Sequence, residues 1–132
     1  MKIKTSELTG DALVAAVAMC EGYTDLHKIE GRWPHEYQFA MWPPRREYGV
    51  MELWEIGSDR DWAFFGPIIE REEISISREF ASSRVEWAAW TPAPIRDDAE
   101  AFGYGPTPLI AAMRCYVASK LGDEVEIPEG LK

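Results

Sequence analysis

Two Gly-Pro elements introduce apolar runs in this sequence, and each could bring backbone close to a ligand. They are Gly66-Pro67, within "FGPIIE", and Gly105-Pro106, within "GYGPTP". The second is followed by Thr107, which is the predicted N-cap residue of a helix. A Thr hydroxyl and the N–H groups at a helix start can hold a phosphate or a carboxylate, helped by the helix dipole. An ordinary capped helix whose start faces water is the commoner arrangement, and that alternative stays open.

Two arginines and one tryptophan complete this candidate site. Arg71 follows the first Gly-Pro element, and Arg114 lies two turns inside the helix that begins after Thr107. The guanidinium group of arginine forms paired hydrogen bonds with phosphate oxygens. An arginine beside an apolar helix face often has only a packing role, in which its aliphatic chain covers the edge of the core. Trp33 stands among prolines and could stack on a base. We therefore expect a phosphate-bearing ligand, with no cofactor.

The sequence contains no recognisable catalytic or metal-binding motif. It has no Gly-rich phosphate loop, no His-Glu-x-x-His and no Gly-x-Ser-x-Gly. His27 and His35 lie in the least regular region and are expected to be solvated. The acidic run Glu70–Glu73 is expected to alternate as it enters a strand, and it could ligate a metal or only be solvated. We expect no enzyme and no metal site.

Composition restricts the partners. The 132 residues carry 14 basic and 23 acidic side chains, a net charge of −9, which disfavours nucleic-acid polymers but not a small anion in a local basic pocket. No apolar run is long enough for a membrane span. Cys20 and Cys115 are predicted to be small buried hydrophobes of a reduced, cytoplasmic protein.

The predicted elements give an α+β fold with a small antiparallel sheet packed against two helices, and with long loop insertions. One helix is expected at about 10–21 and the other at about 108–121, the latter with Pro108 at its first position and Gly122 beyond its end. "EISISREF" and "RVEWAAW" alternate as a hairpin. Short extended segments are expected at Ile3 and in the tail.

Two segments of the predicted single domain of residues 1–132 are expected to be loops. The segment 34–65 reads as an aromatic and Pro-rich insertion, apart from a short strand in "VMELWEIG". "TPAPIRDDAEAFGYG" is Pro-rich, then acidic, then Gly-rich, which is typical of a loop.

Four segments resemble one known family. "KIKTSELTG" with "AVAMCEGY", "EGRWP", "FGPIIERE" and the long "GPTPLIAAMRCYVASKLGDEVEIPE" are similar in order and spacing to the NinX-like family of phage and prophage proteins. The resemblance covers about two thirds of the chain, and the segment from Gln38 to Arg60 looks expanded. It implies a small accessory product that acts in a bacterial cytoplasm, and it brings no established activity.

Two functional hypotheses follow. The first is a non-enzymatic binder, homo-oligomeric, that sequesters a small anionic, nucleotide-derived ligand such as a host defence signal. The second is an interaction protein that inhibits a host protein through an acidic, aromatic surface, formed by the acidic residues 97, 98 and 100 with Phe102 and Tyr104.

Overall fold

The structure is a computed structural model that describes residues 2–29, 39–54, 56, 60–81, 84–92, 101–127 and 131. Its elements combine helices with short strands, so the α+β prediction is confirmed. The helices are α1 (Gly10–Cys20), α2 (Arg60–Arg71) and α3 (Pro108–Leu121). The strands are β1 (Lys2–Lys4), β2 (Thr24–Lys28), β3 (Phe39–Trp42), β4 (Met51–Glu52), β5 (Ser75–Ala81), β6 (Arg84–Trp90), β7 (Phe102–Gly105) and β8 (Glu124–Glu126).

The first and last helices agree with the sequence prediction. In α1 the seven consecutive residues Ala12–Ala18 are all buried, so this helix is covered on every side. Its alanines make that possible, because small side chains let neighbouring elements approach closely. In α3 the hydroxyl of Thr107 caps the helix start, and Gly122, with φ of 86°, follows its end. A positive φ suits glycine, which has no Cβ to clash.

The middle helix was not predicted. Gly66 and Pro67 lie inside α2. The expected strand alternation of the acidic run was wrong, because Glu70 and Arg71 end this helix. Pro67 removes the N–H that would bond to the carbonyl of Ala63. Both residues are exposed, so water can reach that carbonyl. The buried positions Asp61, Phe65 and Ile68 have the i, i+4, i+7 spacing of one helix face.

In the part of the chain that the structure describes, the strands form three small antiparallel sheets instead of one. Strand β1 pairs with β8, the second sheet has the order β2-β3-β4, and the third has the order β5-β6-β7. The predicted hairpin is confirmed, with Ser75 opposite Trp90 and Ala81 opposite Arg84. The short strands at the two termini are confirmed as β1 and β8.

Two strands lie in segments that were predicted as loops. Phe39–Trp42 forms β3, and the irregular segment begins only at Pro43. Phe102–Gly105 forms β7, where the two glycines misled the prediction. Both loop predictions were wrong, because tertiary pairing overrides weak local preference in strands this short. Residues 34–38, which begin the predicted insertion, lie outside the described residues.

The core lies between the helices and the third sheet. It contains the buried side chains of α1 and α3, together with Phe65 and Ile68 of α2. Trp54 is 1% exposed, and its indole N–H donates to Asp61 Oδ1 at 2.7 Å. Its ring meets Phe64 edge-on at 5.2 Å between centroids. Helix α3 also packs directly against β7, where the candidate site is found.

Candidate functional site

Arg71 is fully engaged by neighbouring side chains. Its Nη1 and Nη2 donate to the two carboxylate oxygens of Glu21 at 2.9 and 2.7 Å, and its Nε donates to Glu72 at 3.0 Å. Nη2 also donates to the phenol oxygen of Tyr116 at 3.1 Å. The guanidinium therefore joins the ends of α1 and α2 to the middle of α3.

The pKa shifts around Arg71 indicate that its ion pair has a structural role, which is to hold the three helices together. The hydrogen bond from Arg71 holds the pKa of Glu21 below its usual value, because it stabilises the carboxylate. Burial, and then the hydrogen bond to Glu21, raise the pKa of the Tyr116 phenol. The phenol remains protonated and donates to Glu21 Oε2. An anionic ligand at Arg71 would have to displace a carboxylate that already satisfies the arginine.

Thr107 acts as a helix cap. Its Oγ1 accepts from the N–H of Ile110 at 3.2 Å, and its carbonyl accepts from Ala111 at 3.1 Å. Pro108 has no N–H, so the N–H of Leu109 is the one donor of this first turn without a partner among the described residues. A single amide is a weak cradle for a phosphate.

A groove of about 350 Å³ adjoins this helix start, but its lining does not favour an anion. It is formed by Ile56, Asp61, Trp62 and the residues from Thr107 to Ile110. The one charged side chain in that set is an acid, and most of the rest are apolar. Ligand binding at Thr107 thus stays a prediction that the local geometry does not strengthen.

The glycines of the two Gly-Pro elements differ in how tightly they are packed. A Cβ added to Gly66 would meet only a Trp62 ring atom at 3.9 Å, so no close approach requires glycine there. A Cβ on Gly105 would lie 2.7 Å from an Ile110 methyl carbon, and one on Gly103 would lie 2.3 Å from the Ala111 carbonyl oxygen. The strand β7 lies directly on α3, and only glycine permits that contact.

Arg114 has a different environment from Arg71. Its Nε donates to the Leu8 carbonyl at 2.9 Å and its Nη1 donates to the Tyr104 carbonyl at 2.7 Å. No carboxylate among the described residues forms an ion pair with it. Burial lowers the pKa of this guanidinium, and the charge of Glu86 partly opposes that effect. Arg114 is thus a half-buried cation whose Nη2 has no described acceptor.

The two arginines of the predicted site do not share a pocket. Arg114 is two positions from Tyr116, which Arg71 contacts, and two helical positions differ by about 160° around the axis. Arg71 and Arg114 therefore lie on nearly opposite sides of α3. Gly66 and Pro67 lie in α2 and Gly105 in β7, so the described members of the predicted set are dispersed. Trp33 lies outside the described residues.

The structure instead places Arg114 in a cleft of about 250 Å³, which we call the Arg114 cleft. Arg114 and Ala118, one helical turn apart, line it from α3. The other lining residues come from β1 and the turn after it, from β7, and from the start of β8: Lys4, Thr5, Ser6, Phe102, Gly103, Tyr104, Asp123 and Glu124. Phe102 and Tyr104 are 52% and 54% exposed.

The charges in the Arg114 cleft balance but are spread over four side chains. Lys4 and Arg114 supply two positive charges, and Asp123 and Glu124 supply two negative ones. None of the four forms an ion pair with another described residue. The Thr5 hydroxyl is occupied, because it donates to the Gly122 carbonyl at 2.6 Å. A ligand would meet cationic and acidic groups side by side, because Lys4 lies opposite Glu124 in the pairing of β1 with β8.

Sequence reasoning missed most of this cleft. Of its lining residues the predicted ligand site contained only Arg114, and Phe102 and Tyr104 were considered only for a protein interface. The alternation of aromatic and glycine in "FGYG" was the available signal. It marks a strand with one face pressed on a helix and the other exposed.

The remaining chemical candidates do not form a reactive group. His27 lies exposed on β2, with its Nδ1 2.7 Å from the Asp25 carbonyl, and His35 is outside the described residues. In the described part of the chain, no three His, Cys, Asp or Glu side chains are placed to hold a metal ion. Burial raises the pKa of both the Cys20 and Cys115 thiols to about 11, so neither is a ready nucleophile.

The chain matches the model of a known protein family. The model of the family described as "Bacteriophage P22, NinX" matches residues 4–120. A search of curated proteins found no matching sequence. Among the described helices, none is long and apolar enough to cross a membrane.

Proposed function

The chain belongs to the phage NinX family, and from this premise we propose that it is a non-enzymatic binder of a small anionic, nucleotide-derived ligand. The ligand would occupy the Arg114 cleft. A host defence signal of this chemistry, sequestered in the cytoplasm of the infected bacterium, is the proposed physiological target.

The observation that carries the proposal is that Arg114 has no ion-pair partner among the described residues. A half-buried cation is costly unless an anion or several acceptors compensate it. Its Nε and Nη1 donate hydrogen bonds to two backbone carbonyls, and these bonds fix the orientation of the guanidinium group. The second terminal nitrogen is left for a ligand. A pre-oriented arginine binds a phosphate oxygen with little loss of conformational entropy.

The surroundings supply the other parts of a nucleotide site. Lys4 adds a second cation, and the Ser6 hydroxyl has no hydrogen-bond partner in the described residues. Phe102 and Tyr104 are exposed aromatic side chains on which a base could stack.

The test is native mass spectrometry of protein purified from bacterial cytosol, followed by denaturation to release any bound molecule. We expect a retained phosphate-bearing compound, at about one molecule per site. It should be lost in Arg114→Gln and in Lys4→Gln, and retained in Arg46→Gln, whose arginine forms an exposed pair with Asp25.

Lys4→Gln keeps the test decisive if Arg114→Gln fails to fold, because Lys4 is exposed and has no ion pair with a described residue. An empty wild-type protein, with no change of melting temperature across a nucleotide panel, would refute the proposal. Size-exclusion chromatography with light scattering would test the proposed homo-oligomer.

A second candidate function is inhibition of a host protein. The exposed aromatic side chains of Phe102 and Tyr104 favour it, because exposed aromatics are enriched at the centres of protein interfaces. The acidic residues 97, 98 and 100, which belong to the same predicted surface, lie outside the described residues. A wild-type protein that retains no small molecule but captures a host protein, with the capture lost in Tyr104→Ser, would support this candidate over the first.

A further inference from the structure

The lining of the Arg114 cleft combines groups that attract an anion with groups that need hydrogen-bond donors. Lys4 and Arg114 can only donate, whereas the ionised side chains of Asp123 and Glu124 can only accept. A ligand that satisfies both kinds of group needs an anionic end and a separate end with hydroxyl or amino donors. Inorganic phosphate offers only the first.

The amount of charge limits the ligand further. A phosphate monoester carries about −1.5 to −2 charges at neutral pH, which the two cations of the cleft can balance. A nucleoside triphosphate carries more negative charge than these cations supply, and the excess would lie near Asp123 and Glu124. The carboxylates thus act against polyphosphates.

The size of the Arg114 cleft also favours one nucleotide unit. Its volume of about 250 Å³ lies just below the range of roughly 300–1,000 Å³ that is usual for pockets that enclose drug-sized ligands. A dinucleotide would project into solvent. Exposed aromatic side chains on β7 suit the flat face of a single base.

We infer that the Arg114 cleft selects a nucleoside monophosphate, with its phosphate at Arg114 and Lys4 and its ribose hydroxyls or base amino group at Asp123 and Glu124. This inference rests on the proposed function. It assigns to the two carboxylates a role in specificity, because they reject polyphosphates and accept hydrogen bonds from the nucleoside.

The test is calorimetric titration, at one fixed salt concentration, with AMP, GMP, CMP, UMP, ATP and inorganic phosphate. We expect at least one monophosphate to bind roughly tenfold more tightly than inorganic phosphate, the effect expected of one stacked base. In the double variant Asp123→Asn/Glu124→Gln, inorganic phosphate and ATP should bind roughly two- to fivefold more tightly, since exposed like charges are removed. The same monophosphate should bind more weakly, because its donors lose charged acceptors.

These opposite shifts distinguish the inference from general electrostatics. The inferred ligand class is wrong if the double substitution strengthens the binding of every probe. It is also wrong if the wild-type protein binds ATP or inorganic phosphate as tightly as the best monophosphate. In both cases the proposal of anion binding at Arg114 still stands. If the wild-type protein binds none of the probes, both this inference and the proposed function are overturned. Circular dichroism of the double variant checks that the fold is unchanged.

Discussion

Replacement of Arg71 by alanine should destabilise the protein without affecting the Arg114 cleft. The substitution removes a bidentate ion pair with Glu21, a hydrogen bond to Glu72 and a hydrogen bond to Tyr116. A buried hydrogen bond to a charged group contributes about 1.5–3 kcal/mol, whereas an exposed ion pair contributes about 0.2–1 kcal/mol. The Arg71 side chain is 51% exposed and that of Glu21 is 18% exposed. We therefore expect a loss of about 1–2 kcal/mol in unfolding free energy at pH 7.

The loss should depend on pH in a defined direction. Arg71 lowers the pKa of Glu21 in the folded protein, so this contribution is complete above the ordinary glutamate pKa of about 4.3. It disappears as the pH falls through the lowered pKa, because the protonated carboxyl no longer forms the ion pair. The difference between wild type and Arg71→Ala should thus shrink below about pH 4.

Urea unfolding followed by tryptophan fluorescence, over the pH range from neutral to the acid limit of the native state, measures this difference. Arg46→Ala is the matched control, because it breaks an ion pair with Asp25 in which both side chains are more than half exposed. We expect this control to change stability by roughly half a kcal/mol or less. A change for Arg71→Ala no larger than the control, or one that grows as the pH falls, would refute the structural role of Arg71. If a folded Arg71→Ala protein loses ligand binding, Arg71 contributes to the binding site after all.

Three further predictions concern glycine, the helix cap and the thiols. Gly103→Ala should cost at least about 1–3 kcal/mol in thermal or urea unfolding, because its Cβ would lie 2.3 Å from a backbone oxygen of α3. Gly66→Ala is its control and should stabilise α2 by roughly 0.5–1 kcal/mol, since its Cβ meets only ordinary contact; equal effects of the two substitutions would contradict the packing of β7 on α3. Thr107→Ala should cost about 1 kcal/mol while leaving affinity for the ligand of the Arg114 cleft unchanged, and weaker ligand binding would show that the helix start takes part. Cys115 should react with a thiol reagent at neutral pH far more slowly in the native protein than in urea, and equal rates would refute its burial.

The end helices were predictable because their signals are local. Thr107, Pro108 and Gly122 mark the bounds of α3 through cap geometry that depends only on neighbouring residues. The hairpin of β5 and β6 was predictable for the same reason, since its strands alternate and follow each other in the chain. Helix α2 was missed because Gly66-Pro67 resembles a break, although its buried residues follow helical spacing.

The candidate site was much less predictable. Local signals place Arg71 and Arg114 near helices but do not show which side of α3 each one reaches. Arg71 lies 50 residues from Glu21 in sequence, and Arg114 lies 106 residues from the Leu8 carbonyl that holds it. Contacts over such separations depend on the packing of the helices, which no local pattern encodes.

By itself, the sequence determined the fold class, the bounds of α1 and α3, the hairpin and the family, because these depend on periodicity, caps and short motifs. Tertiary structure alone decided that the Arg71 guanidinium is occupied by Glu21, while Arg114 lines a cleft without an ion-pair partner among the described residues. The physical reason is that both arginines carry the same charge and the same donors. What differs is the set of acceptors that distant parts of the chain bring within hydrogen-bond distance.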